Sequence, residues 1–121
     1  MPAIHDADRL SLPETMAALR DVLARARAGR LRSSDLADST ITVTNLGDLG
    51  VETVFGVIYP PQVALVGLGR VSPRAVARDG AVVAARAMTV TLAGDHRVSD
   101  GLSGARFLAA LRARLEHPEN P

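Results

Sequence analysis

The sequence has no cysteine, which removes disulfide staples, thiolate metal ligands and a cysteine nucleophile together. It has no tryptophan, and Phe55, Tyr59 and Phe107 are its whole aromatic complement. A core must therefore be built from Ala, Val, Leu and Ile, with little surface for stacking bases. Lysine is absent as well: all 14 basic residues are arginine, and 13 acidic ones bring the net charge to +1. Arg20, Arg25, Arg27, Arg30 and Arg32 cluster in a way that could attract phosphate. Acidic residues on either side dilute that field, so no nucleic-acid partner is expected. No apolar run reaches the roughly 18 residues of a membrane span, and the N-terminus lacks the basic-then-apolar order of a secretory signal. No membrane partner is expected, and the expected location is cytoplasmic.

What is present describes one packed domain. A chain of 121 residues matches the usual domain size of about 100–150, and 47% hydrophobic with 22% charged residues is a globular composition. Ser11 with Glu14 forms a capping box, Pro13 sits in the first turn, and Gly29 is placed to end the helix between them. Leu12, Met16, Leu19, Val22, Leu23 and Ala26 make its apolar stripe. Residues 40–45 alternate Thr with branched apolar side chains, a strand pattern, and residues 46–50 supply a turn. After Pro60 and Pro61, the nearly continuous apolar run of residues 62–71 predicts a strand covered on both faces. Asp79-Gly80 carries a hairpin signal, with residues 81–92 as the returning strand. A last helix over residues 100–116 places Leu102, Ala105, Leu108, Leu111 and Leu115 on one face.

This order predicts an α+β fold with mostly antiparallel strands. A sheet of few strands with long apolar edges invites association, so the chain is expected to oligomerise or to pair with a second polypeptide.

The densest polar grouping is Asp95-His96-Arg97-Val98-Ser99-Asp100-Gly101, between the returning strand and the last helix. His5 and His117 lie near the ends, leaving His96 alone between two regular elements. Imidazole suits removal of a proton from a thiol or hydroxyl near neutral pH. The same residues admit a plainer reading, in which Asp95 and Arg97 form a surface ion pair, Asp100 caps the helix and His96 fills a turn.

Four blocks, in order, carry a resemblance. His96, Arg97, Asp100 and Gly101 are spaced like the His-x-x-x-Asp-Gly signature in the catalytic domain of dihydrolipoamide acyltransferases, the acyltransferases of 2-oxo acid dehydrogenase complexes. Thr-Ile-Thr-Val-Thr-Asn-Leu-Gly at residues 40–47 resembles that family's strand ending in Ser/Thr-Asn-Leu-Gly. Residues 60–67 resemble its Pro-Pro-Gln strand, and residues 4–11 with Pro13 and Glu14 its Ile-Arg-Asp-Ala-Asp stretch and following helix. The resemblance implies part of a chloramphenicol acetyltransferase-like fold, a mixed or antiparallel sheet with flanking helices. Residues 1–117 would be the C-terminal half of the catalytic domain and residues 118–121 a flexible tail.

The resemblance also implies roles. His96 would be the general base, and Thr44, where the family commonly has Ser, would offer its hydroxyl to the tetrahedral oxyanion. Asp100 would orient the local backbone and ion-pair. Asn45 and Gly101 would border the substrate, Gly101 by permitting close approach at the helix start, although Asn45 and Gly47 also suit turn chemistry. The implied reaction is direct acyl transfer from acyl-CoA, or from the phosphopantetheine thioester of an acyl carrier, to a small thiol or hydroxyl acceptor. It needs no covalent acyl-enzyme, no metal and no bound cofactor, and its His and Ser/Thr come from neighbouring chains of a trimer.

The first half of the family's catalytic domain, with the Arg that pairs with the Asp matching Asp100, has no counterpart here, nor do a lipoyl domain and its linker. Three readings follow: a stand-alone acyltransferase acting on the hydroxyl of a biosynthetic intermediate, one half of a split enzyme, or a non-catalytic module that docks on true cores.

Overall fold

The computed structural model describes residues 2–118, grouped in two compact units divided between Thr40 and Ile41. Residues 119–121 of the expected tail lie outside the described residues. No helix among the described residues is long and apolar enough to cross a membrane.

The first unit is organised by helix α1, Leu12–Arg27. Its capping box forms as expected: the Glu14 N–H donates to the Ser11 hydroxyl and the Ser11 N–H to the Glu14 carboxylate, 2.8 Å. The helix closes at Gly29, whose φ of +65° only glycine adopts without cost; there Gly29 N donates to Ala26 O at 3.1 Å and Arg30 N to Arg25 O at 2.9 Å. A single turn at Ser33–Leu36 then buries Asp35. Arg25 grips that carboxylate with two donors, at 2.8 and 3.1 Å, and Arg32 N adds a third at 2.8 Å. Arg25 also pairs with Asp21, so this arginine of the cluster is held by two carboxylates. The Arg25 guanidinium, and after it the Arg32 N–H, hold the Asp35 carboxyl below its ordinary range. Its contribution to stability is therefore present above that range and lost as pH falls through the lowered value. Of the α1 stripe only Val22 is fully buried, at 4% exposure; Leu12, Met16, Leu19 and Leu23 are exposed.

The second unit holds strands β1 Ile41–Asn45, β2 Ala64–Leu68, β3 Ser72–Arg78, β4 Ala81–Ala87 and β5 Val90–Gly94, then helix α2 Gly101–Glu116. β1, β2 and β5 form a sheet in the order β1-β2-β5, with β2 parallel to β1 and antiparallel to β5. β3 and β4 form a hairpin around Asp79 and Gly80, both at positive φ (51° and 78°), as an Asp-Gly hairpin turn requires. The fold is α+β with mostly antiparallel pairing, as expected; the parallel β1–β2 ladder follows from the long connection of residues 46–63, which returns the chain in the same direction.

The strand expected at residues 62–71 forms as β2, with β3 following outside that span, and the strand expected at residues 81–92 divides into β4 and β5. These strands remain one ribbon, because Gly69 N still donates to Thr89 O at 3.0 Å beyond the β2–β5 ladder. Ser72 then pairs with Ala87, so Arg70 and Val71 on one strand face Met88 alone on the other. Two residues opposite one is a β-bulge, which bends the ribbon. Its place is set by Gly69, where a Cβ would stand 1.9 Å from the Glu52 carbonyl oxygen. Arg70 ties the same stretch down, through its N–H to Val51 O at 2.8 Å and its guanidinium to Glu52 at 2.7 Å.

β2 is the centre of the sheet, and Val66, at 3% exposure, is the only apolar side chain fully buried in this unit among the described residues. α2 lies against β5 through Gly104, whose Cβ would stand 3.3 Å from Leu92. Gly104, Leu108 and Leu111 turn inward, while Leu102, Ala105 and Leu115 of the expected stripe are exposed.

Candidate active site

The turn carrying His96 is built on Asp95. The Asp95 N–H donates to Val63 O at 2.8 Å, fastening the turn to the residue before β2, and the Asp95 carbonyl accepts from Val98 N at 2.9 Å and Ser99 N at 3.0 Å. Its carboxylate takes the Arg97 guanidinium through Nε at 3.0 Å and Nη2 at 2.7 Å, and the Arg97 N–H at 3.0 Å. These donors, the guanidinium first, lower the Asp95 carboxyl to about 2. A carboxyl depressed on folding stabilises above its ordinary value of 3.8 and loses that contribution as pH falls toward 2. A carboxyl-carbon NMR titration is expected to place the Asp95 midpoint near 2, and Arg97→Ala to return it toward the ordinary value. A native midpoint at the ordinary value would remove the ion pair from the account.

Asp100 is the N-cap of α2: its Oδ1 accepts from Ser103 N at 2.8 Å and from the Ser103 hydroxyl at 2.7 Å. The Ser103 N–H, followed by its hydroxyl, lowers the Asp100 carboxyl. The expected orienting of the local backbone is thus visible. No arginine among the described residues pairs with Asp100, and the arginine expected to do so belongs to the half of the family's catalytic domain that is not matched here. The surface ion pair and the helix cap of the plainer reading are both present, and together they fix both sides of His96. The His96 side chain is exposed and makes no hydrogen bond to a described residue.

Thr44 is half-buried on the same face of β1 as Thr42, and its hydroxyl has no hydrogen-bond partner among the described residues. It stands level with Gly67 of β2 and Thr91 of β5. A Cβ on Gly67 would meet Thr91 Oγ1 at 2.6 Å and Val54 Cβ at 2.9 Å, so the stretch around Val54 crosses that face. The Thr91 hydroxyl donates to Val54 O there. Asn45 Oδ1 accepts from Gly47 N at 2.9 Å, which is turn chemistry, leaving its amide nitrogen for other partners. A Cβ on Gly101 would meet nothing within 4 Å among the described residues, so no close approach to this glycine is seen there.

The register separates His96 from Thr44. Gly94 is level with Ala64 and Ile41, at the opposite end of the sheet from Thr44 and Thr91, and His96 lies two residues farther on. At about 3.3 Å per residue Thr91 and Gly94 are about 10 Å apart along β5, with the turn that carries His96 beyond Gly94, and β1 lies two strand spacings of about 4.8 Å from β5. Within one chain the register thus sets the two side chains at opposite ends of the sheet. Sequence reasoning also missed the buried pair of Thr42 and Gln62, whose side chains are hydrogen-bonded; the only signal was the position of Gln62 in the Pro-Pro-Gln block.

Over residues 1–121 the chain matches the 2-oxoacid dehydrogenases acyltransferase (catalytic domain) family. The chain belongs to that family. It is 33% identical over 119 residues to the dihydrolipoyllysine-residue acetyltransferase component of the pyruvate dehydrogenase complex of Staphylococcus epidermidis, covering 98% of this chain and 28% of that protein. It is 35% identical, with 98% and 30% covered, to the dihydrolipoyllysine-residue succinyltransferase component of the 2-oxoglutarate dehydrogenase complex of Rickettsia typhi. Among solved structures, a probable dihydrolipoamide acetyltransferase from Listeria monocytogenes superposes with a TM-score of 0.86 at 32% identity, covering 95% of this chain and 49% of that one. The chain thus spans under a third of the curated relatives and about half of the solved family core.

Proposed function

We propose that this chain is the C-terminal half of an acyltransferase catalytic domain. In this reading it acts on a thioester once a second polypeptide stretch supplies the other half and copies assemble so that His96 of one faces Thr44 of the next. The observation that carries it is the exposed His96 ring and the unengaged Thr44 hydroxyl at opposite ends of one sheet. A solved Azotobacter vinelandii dihydrolipoamide acetyltransferase, 28% identical to this chain, supports the assignment. In that protein a serine, a histidine and an asparagine have been investigated for their role in the catalytic mechanism. That serine and histidine are as far apart in sequence as Thr44 and His96, and that asparagine stands as far beyond its histidine as Asp100 stands beyond His96. Threonine for serine keeps the hydroxyl donor, and aspartate for asparagine keeps the oxygen that caps α2.

In this mechanism the acceptor thiol, of CoA in one direction and of a dihydrolipoyl group in the other, gives its proton to His96. The thiolate attacks the thioester carbonyl, and the hydroxyl of Thr44 from the neighbouring copy donates to the oxyanion. Collapse breaks the original carbon–sulfur bond, and the departing thiolate recovers the proton from the imidazolium. Dihydrolipoyl transfer is preferred over transfer to a biosynthetic hydroxyl because the family's named members act on dihydrolipoyllysine residues.

The test is molar mass by light scattering together with chromatographic measurement of free CoA formed from acetyl-CoA and added dihydrolipoamide, on the chain alone and on the chain with the half of the Listeria core that it leaves unmatched. A closed oligomer that releases CoA only when both halves are present is the expected result. Release by the chain alone would overturn the half-enzyme reading in favour of a stand-alone acyltransferase, and a complex with no release would leave an assembly module.

A further inference from the structure

We infer that residues 53–59 are the seam onto which the missing half of the catalytic domain adds an extended strand, an inference that rests on the half-enzyme reading. Phe55, Val57 and Tyr59 are 86%, 87% and 77% exposed, and two of them are among the three aromatic residues of the whole chain. The residues between them turn the other way. A Cβ on Gly56 would collide with Leu65 of β2 at 2.1 Å, and Val54 lies against Gly67. The stretch therefore has the period of a strand, one face seated on β2 and the other an apolar row in solvent. It belongs to neither sheet. Its carbonyls are engaged at Val54, by the Thr91 hydroxyl, and at Tyr59, by Gln62 N at 3.0 Å. No N–H of residues 53–59 donates to another described residue.

An extended segment with unpaired N–H groups and alternating apolar side chains is a template for strand addition: main-chain bonds give affinity, and alternate side-chain contacts give register. The solved core supplies the occupant. This chain reproduces it with a TM-score of 0.86 yet covers 49% of it. A polypeptide of about equal length therefore accompanies this half there, while among the described residues here the buried apolar side chains are Val22 and Val66. The occupant is a strand of that other half, apolar at alternate positions to lie across Phe55, Val57 and Tyr59.

Amide hydrogen exchange decides it. The probe is the unmatched half of the Listeria core, added to the chain and, so that association cannot limit the result, also fused ahead of residue 2. Exchange at residues 55–59 is expected to slow at least about tenfold in both forms. Val57→Asp is expected to weaken the two-piece complex about 100-fold or more while leaving the melting temperature of the chain alone unchanged, since the side chain is exposed there. Unchanged exchange in the fused protein overturns the inference, as does a Val57→Asp complex of native affinity. Slow exchange in the chain alone, at the mass of a dimer, overturns it in favour of a second copy. CoA release separates the two ideas: protection without release keeps the seam and sinks the catalytic reading, and release without protection does the reverse.

Discussion

His96→Ala is expected to lower CoA release by the completed enzyme about 10²–10⁴-fold, the usual worth of a positioned general base, with no loss of assembly. The residue can be removed cleanly because its ring bonds to no described neighbour, while the turn beneath it is made by others. Asp95 fastens the turn to Val63 and holds Arg97, and Asp100 starts the following helix. Kinetics of free CoA formation with dihydrolipoamide as acceptor and light scattering on the same sample check both halves of the statement. Activity within about threefold of the parent would mean that another group takes the proton.

Thr44→Val is expected to cost about 10²–10³ in rate, the loss seen when one oxyanion donor is removed, and Thr44→Ser to restore most of it. Both keep a side chain of similar size on β1, so the comparison isolates the hydroxyl. The separation along the sheet gives a sharper result. A His96→Ala chain and a Thr44→Val chain are each defective, but when they assemble together some interfaces receive a sound His96 from one copy and a sound Thr44 from the next. Random mixing in equal amounts in a cyclic assembly leaves about a quarter of such interfaces intact, so activity should reappear at about that fraction of the parent. Mixing that recovers nothing, in samples shown by mass to have exchanged subunits, would place both residues in one chain's site and contradict the β1-β2-β5 register.

Local chemistry is legible in the sequence where a few residues decide it. Ser11 with Glu14, the positive-φ Gly29, the Asp79-Gly80 turn and the Asp100 cap all form where the residue types place them. The parallel β1–β2 ladder and the bulge at Arg70 and Val71 are not legible. They depend on how the connection of residues 46–63 returns and on the Glu52 carbonyl crowding Gly69, contacts with no signature in periodicity. The stripes on α1 and α2 are apolar as their spacing predicts but largely uncovered, because a pattern shows which side chains favour burial and not whether a partner is there to bury them. His96 and Thr44 are legible as a pair only through the ordered blocks around them. The distance between them belongs to strand register, which a one-dimensional pattern does not carry.

The bulge also insulates the site from changes in chain length. A one-residue slip in a plain two-stranded ribbon turns every side chain to the opposite face; an insertion at Asp79-Gly80 would then travel down the ladder to Thr91 and disturb the Val54 stretch beside Thr44. Here the ribbon already changes register between Ser72–Ala87 and Gly69–Thr89, and Gly69 pins that change in place. The outer hairpin can lengthen, shorten or shift its frame while β2 and β5 keep theirs, so the tip of the ribbon is free to vary as the row of Thr44, Gly67 and Thr91 stays in step.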